Sequence, residues 1–115
     1  METIINTTEQ VIFLPTMYGL EKIPINNIVR IEAISNYSKL FFTNGKTLVV
    51  AKVLRWFEER ISIEKFIRIH RTHFVNKNCM QQYSNAGKVK LFSGEYIDVS
   101  RRRKKHFLAY WMAVA

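Results

Sequence analysis

Asn44-Gly45 constrains this chain more than any other feature. The pair stands between Lys39-Leu40-Phe41-Phe42-Thr43 and Lys46-Thr47-Leu48-Val49-Val50, two runs rich in β-branched and aromatic residues. Both turn residues tolerate positive φ, which the turns that match the twist of paired strands require. The segment predicts an antiparallel hairpin, so the chain is committed to antiparallel β structure from its middle outward. Ser93-Gly94 repeats the signal between Lys88-Val89-Lys90-Leu91-Phe92 and Glu95-Tyr96-Ile97-Asp98-Val99.

Other runs read the same way. Val11-Ile12-Phe13-Leu14 is strand-like and leads toward a Tyr18-Gly19 turn. Ile23 to Ile28 reads as a strand end and one capped turn, followed by the strand Arg30–Ile34. Phe66–Ile69, Phe74–Asn76 and a stretch near Met80–Tyr83 complete the set. Two segments change period. In Ala51–Ile61, Leu54, Phe57 and Ile61 recur at i, i+3 and i+7, the mark of a helix face. Ser100 is a suitable N-cap for a terminal helix whose apolar face is Phe107, Leu108, Trp111 and Met112, with Val114 beyond. With no repeat, low-complexity tract or linker, the chain reads as one domain over residues 1–115, mainly β, with two helices.

With 115 residues, 48% of them hydrophobic and 23% charged, the composition is that of a globular domain able to bury a core. The lone Cys79 excludes an internal disulfide and fits a reducing compartment. No stretch approaches the ~20 apolar residues of a membrane span. Met1-Glu2-Thr3-Ile4 is not the start of a signal peptide. The expectation is a cytoplasmic chain with no membrane association.

The charge is lopsided. Residues 1–64 carry seven basic and seven acidic side chains, whereas residues 65–115 carry eleven basic ones against Glu95 and Asp98, so the whole net charge of +9 lies in the second part. Such an excess attracts polyanions: DNA, RNA or an acidic membrane surface. The alternative is a solvated basic face.

Three clusters localise the charge and the polar reach. Arg101-Arg102-Arg103-Lys104-Lys105 begins the predicted terminal helix. Cations are unfavourable there, at roughly 0.3–1 kcal/mol each, because the helix N-terminus is already partly positive. An external anion would reverse that penalty, and free N–H groups at a helix start bind phosphate. A frayed turn or ion pairs to distant acids are the other readings. His70-Arg71-Thr72-His73 interrupts two strand-like runs, and arginine is the residue that pairs bidentately with guanine. The histidines read better as loop-ordering and packing groups than as metal ligands, since no matching carboxylate or thiol set accompanies them. Ser35-Asn36-Tyr37-Ser38-Lys39 forms a polar loop that could reach a phosphate or a base edge.

Enzymatic patterns are missing. The glycines at 19, 45, 87 and 94 make no P-loop, dinucleotide fingerprint or nucleophile elbow. The acids show no pairing. The expectation is no enzyme, no metal and no cofactor. Tyr37, Phe41, Phe42, Phe92 and Tyr96 could form a base-stacking platform, but strand aromatics are usually core, and the RNP pattern is missing.

In order, these pieces resemble the LytTR domain of bacterial transcription regulators. The likeness rests on Ile31-Glu32-Ala33 followed by Asn36-Tyr37-Ser38, the hairpin Thr43-Asn44-Gly45-Lys46, and the helix with Leu54 and Phe57. It continues through Phe66-Ile67-Arg68-Ile69-His70-Arg71-Thr72, Phe74-Val75-Asn76 and Val99-Ser100-Arg101-Arg102, covering about residues 11–108. The resemblance implies an elongated array of short antiparallel sheets with two small helices. It implies binding of double-stranded DNA by side chains from three loops, often as a pair of domains on direct repeats that bends the duplex. By position, Ser38, Lys39, Arg71 and Arg101 would read bases. Asn36, Thr72, Ser100 and Arg102 would contact phosphate, as would Arg103 and Lys104 on charge.

Departures are visible. Relatives often carry an N-terminal receiver domain. Here the likeness starts close to Met1, so no receiver is expected, and a stand-alone regulator or one domain of a longer protein are both open. His73 stands where the family usually has an aromatic residue. Ser38 is short, which shifts base reading in the first loop toward Lys39. A second copy on DNA, or a separate signalling partner, would complete the system. An RNA-binding module and a basic protein-interaction domain are the competing classes.

Overall fold

The computed structural model describes residues 10–113. Ten strands form three antiparallel sheets. β1 (Val11–Thr16) and β2 (Gly19–Pro24) make a two-stranded hairpin. β3 (Ile28–Ile34), β4 (Tyr37–Phe42), β5 (Thr47–Val50), β6 (Phe66–His70) and β7 (His73–Asn76) form a five-stranded sheet in the order β5-β4-β3-β7-β6. β8 (Met80–Tyr83), β9 (Lys88–Leu91) and β10 (Tyr96–Asp98) form the third sheet. Helix α1 spans Leu54–Glu58 and α2 spans Arg101–Ala113. The assembly is broad and thin, 42 × 41 × 25 Å.

Both predicted hairpins form at Asn44-Gly45 and Ser93-Gly94, with Gly45 and Gly94 at positive φ (86° and 97°). The single turn after Pro24 is a 3-10 turn over Ile25–Asn27. Two expectations need correction. The first helix is shorter than Ala51–Ile61. Val53 offers no side-chain cap, and after Glu58 the Phe57 carbonyl is shared by the Arg60 N–H (3.0 Å) and the Ile61 N–H (2.8 Å), which closes the helix as a turn. Its predicted face is nonetheless buried at Leu54, Phe57 and Ile61. In α2, Phe107 is fully buried and Leu108 and Trp111 partly so, but Met112 is exposed. Val114 lies outside the described residues.

The five-stranded sheet is a wall between two cores. Successive side chains of a strand point to opposite faces. Ile31 lies opposite both Leu40 and Phe74, and all three join the core that Ile12, Leu14 and Ile23 of the first hairpin and Leu54 and Phe57 of α1 cover. One residue along, Arg30 lies opposite Val75, whose side chain belongs to the other core with Ile67, Ile69, Val89, Leu91, Ile97 and Phe107. The third sheet and α2 cover that side.

Arg30 is buried in this second layer and joins two sheets. It donates through Nε and Nη2 to Glu95 (3.3 and 3.0 Å) and through Nη1 to Glu32 (3.0 Å), with its guanidinium 3.6 Å from the Phe41 ring centroid. Burial opposes its charge, but the two carboxylates outweigh burial, and its pKa rises. The same contact holds the Glu95 carboxyl below the usual carboxylate range. A buried arginine is tolerated only with partners of this kind.

Candidate nucleic-acid interface

Strand pairing brings the three polar clusters to one edge. Ile34 pairs with Tyr37, leaving Ser35-Asn36 as a two-residue turn at the end of β3. His70 pairs with His73, leaving Arg71-Thr72 as the turn between β6 and β7. Glu32 pairs with His73, so both turns leave the sheet side by side, and the Ala33 N–H donates to the Thr72 carbonyl (2.9 Å). The Ser100 N–H donates to the Ile69 carbonyl (2.8 Å), which brings the start of α2 to the same place.

The second loop is the most tightly held. Buried or crowded backbone groups need partners, and here each can be traced. The Ile69 carbonyl accepts from Ser100, the His70 carbonyl from Arg68 Nε (3.0 Å), the Arg71 carbonyl from Arg68 Nη2, and the Thr72 carbonyl from Ala33. The Thr72 N–H donates to His70 Nδ1 (3.2 Å), which makes that nitrogen an acceptor. The Thr72 hydroxyl, 2.9 Å from the same nitrogen, must then donate to it as well. Four consecutive carbonyls and one N–H are fixed, and the Arg71 side chain projects, exposed, from that frame.

This geometry gives Thr72 a partner inside the loop. Its hydroxyl lies 2.9 Å from His70 Nδ1, the same nitrogen that its N–H reaches. Its part is to shape the loop. His70 does the loop ordering expected of it. His73 packs at the root of the loop, its ring 5.3 Å from that of His70 and its Nδ1 buried without a partner among the described residues.

The third cluster begins at Ser100, whose Oγ accepts from the Arg103 N–H (3.3 Å), the expected N-cap. Arg101, Arg102, Lys104 and Lys105 are exposed and Arg103 is half-buried. Among the described residues, none of these five takes part in an ion pair. Burial, then the nearby Arg68 and Arg102, push the Arg103 guanidinium below its ordinary value. Positive charge is crowded here against the helix dipole with one nearby carboxylate, Glu58, to relieve it.

The first cluster needs the largest correction. Tyr37 and Ser38 are not loop residues; they begin β4. Ser38 is fully buried, with its hydroxyl donating to the Lys52 carbonyl (2.6 Å). Strand alternation points it into the first core, so it cannot face a base. Lys39 points the other way, half-buried beside Glu32, with Nζ 5.2 Å from the Phe41 centroid. Asn36 is exposed in the turn, after Ser35 at φ 56°.

Sequence reading missed the role of Arg68 and Glu58. The available signal was an arginine at a strand position flanked by apolar Ile67 and Ile69, which needs a partner whenever it is not fully solvated.

The fold and this edge define a small β-rich domain that offers loop side chains and a bare cationic helix start to a polyanion. A family model for the LytTr DNA-binding domain matches residues 18–112. The chain belongs to that family and is a DNA-binding domain of the kind found in transcription regulators. No curated protein matches it by sequence. Among solved structures, it is similar to the LytTr DNA-binding domain of a Bacillus cereus protein described as a methyl-accepting/DNA response regulator. The TM-score is 0.72 at 23% identity, over 86% of this chain and 94% of that one. That likeness supports the fold. The family is one of DNA binders rather than enzymes. Among the described residues, no helix is long and apolar enough to cross a membrane, and no group of three or more potential ligands gathers for a metal.

Proposed function

We propose that this domain binds double-stranded DNA sequence-specifically and so controls transcription, with Arg71 and Arg101 reading base edges from the loop edge of the five-stranded sheet. Arg102, Arg103 and Lys104 contact phosphates and set the register, with Asn36 and the Ser100 hydroxyl at the rim. Lys39, the other base-reading candidate of the first cluster, lends charge rather than a base contact. The observation that carries this reading is an exposed arginine on a loop whose four consecutive carbonyls are all held by donors. Bidentate recognition of guanine demands such a fixed origin, whereas phosphate attraction does not. The domain works in the cytoplasm, and two copies occupy paired direct repeats.

Selection of bound duplexes from a randomised pool at near-physiological salt tests the reading. A recovered motif, occurring as two direct repeats, is the expected result. Arg71→Ala should then cost ~1–3 kcal/mol on the preferred site and relax one position. Lys104→Ala should weaken binding to every sequence and flatten the salt slope by about one unit. Binding without a motif leaves a nonspecific or RNA-directed polyanion binder. Failure to bind any nucleic acid assigns the basic edge to an acidic protein partner.

A further inference from the structure

We propose that Arg68 is a positioning residue for sequence reading: its guanidinium ties the Arg71 loop to helix α1, and specificity depends on that tie while nonspecific DNA affinity does not. This rests on the reading in which Arg71 contacts a base.

Arg68 sits in β6 opposite Phe74, just before the irregular pairing that leads into the turn. Its side chain is 20% exposed. Nε donates to the His70 carbonyl (3.0 Å) and Nη2 to the Arg71 carbonyl, while Nη1 donates to Glu58 Oε1 of α1 (2.5 Å). One planar group thus fixes two consecutive peptide units of the reading loop and anchors both to an element whose Leu54 and Phe57 are buried in the first core. A rigid fork can serve three acceptors in three directions; a lysine ammonium at the end of a flexible stem holds no such geometry.

Arg68 lies close to Arg103 of α2, but its pairing differs from that of the α2 cations. Glu58 bonds Arg68 directly, whereas residues 101–105 make no ion pair among the described residues and Arg103 has Glu58 only as a nearby charge. A phosphate ligand would be expected to face outward and unpaired. Arg68 faces its own loop. Removing it leaves two carbonyls near the surface, where water can solvate them, so the stability cost is modest. The positional cost is not, because a side chain that reads a base edge tolerates only about 0.5 Å of slack.

The test uses the whole chain and four proteins: wild type, Arg68→Lys, Glu58→Gln and Arg71→Ala. The readout is the ratio of affinities for the selected duplex and a random duplex, with the salt slope on random DNA and the thermal midpoint alongside. Arg68→Lys keeps the charge and loses the fork. It should lower the ratio roughly tenfold, the scale of a lost charge-assisted contact, and leave the random-DNA slope unchanged. Glu58→Gln keeps both carbonyl bonds and loosens the anchor; it also takes a carboxylate from beside Arg103, which acts on selected and random DNA alike, so the ratio isolates the anchor and should fall about two- to fivefold, as for a partly exposed ion pair.

A ratio preserved in Arg68→Lys overturns the inference, as does an equal loss on selected and random DNA. Should Arg68→Lys be unfolded at the assay temperature, Glu58→Gln decides, and an unchanged ratio there overturns it too. Arg71→Ala separates the two levels. If it loses the preference while Arg68→Lys keeps it, the positioning role fails and base reading by Arg71 stands. If wild type shows no preference, or Arg71→Ala keeps it, the reading fails and the inference with it.

Discussion

The Ser35-Asn36 and Arg71-Thr72 turns leave the same edge of the same sheet, linked by one hydrogen bond from Ala33 to Thr72. They are built differently. The first is a bare two-residue hairpin turn, set by Ser35 at φ 56°, a conformation that costs a non-glycine residue roughly 1–2 kcal/mol. The second is held by side chains: Arg68 clamps two carbonyls and His70 captures both donors of Thr72. A turn fixed by its own dihedrals places the backbone but leaves its side chains to the alternation of the strands. A turn fixed by neighbouring side chains can hold an exposed arginine in one place. Specificity should therefore concentrate on the second turn and the start of α2.

The largest expected effect tests the alternation itself. Ser38→Lys would put a charge in a fully buried site facing the first core, where an uncompensated charge costs about 3–5 kcal/mol. Asn36→Lys, two residues earlier in the exposed turn, should change stability by less than about 0.5 kcal/mol. Chemical denaturation of the two variants checks this. A stable Ser38→Lys would mean that the first cluster faces outward after all and would remove the contrast between the turns.

A smaller effect compares reading with attraction. Lys39 is a strand residue, half-buried, with its Nζ 5.2 Å from the Phe41 ring centroid rather than projecting from a loop. Lys39→Ala should lower affinity for selected and random duplexes alike, by under about 1 kcal/mol, whereas Arg71→Ala costs ~1–3 kcal/mol on the selected site alone. Competition binding with both duplexes measures the difference. Equal losses of specificity in the two variants would make the turns equivalent readers.

Much of this was legible in the sequence, and the parts that were not share a cause. Asn44-Gly45 and Ser93-Gly94 announced their hairpins because Gly45 and Gly94 carry the positive φ that each turn requires. The cations at 101–105, without ion pairs among the described residues, were visible because so few acids occur after residue 64. Ser38 was misread because polarity suggests a loop, while the register that turns it inward comes from pairing with β3 and β5. The end of α1 was misread because periodicity continues to Ile61, whose N–H still reaches the Phe57 carbonyl although the regular helix closes at Glu58. The Arg68 clamp joins residues 58, 68, 70 and 71 through folding of α1 against β6, a proximity that no local pattern encodes.

A last contrast lies at the root of the second turn, where tight construction leaves a defect. His73 Nδ1 is buried without a partner among the described residues. Burial lowers the His73 pKa, and His70 and Arg30 add to this, although Glu32 and Asp98 pull the other way. The folded protein thus favours neutral His73 relative to the unfolded chain. For a group depressed in this way, the contribution to stability is fully present above the unfolded value near 6.5 and is lost as pH falls through the folded value. Wild type should therefore weaken between about pH 7 and pH 5. His73→Phe removes both the titration and the unpartnered nitrogen. It should be about 1 kcal/mol more stable at pH 7 and show a flatter pH dependence, with specificity intact because the loop carbonyls keep their donors. Denaturant midpoints at pH 7 and pH 5 decide the matter. If His73→Phe has the wild-type slope, the buried ring is not what makes this turn acid-sensitive. If its specificity falls as well, the rigid frame around Arg71 extends one residue further than the hydrogen bonds alone define.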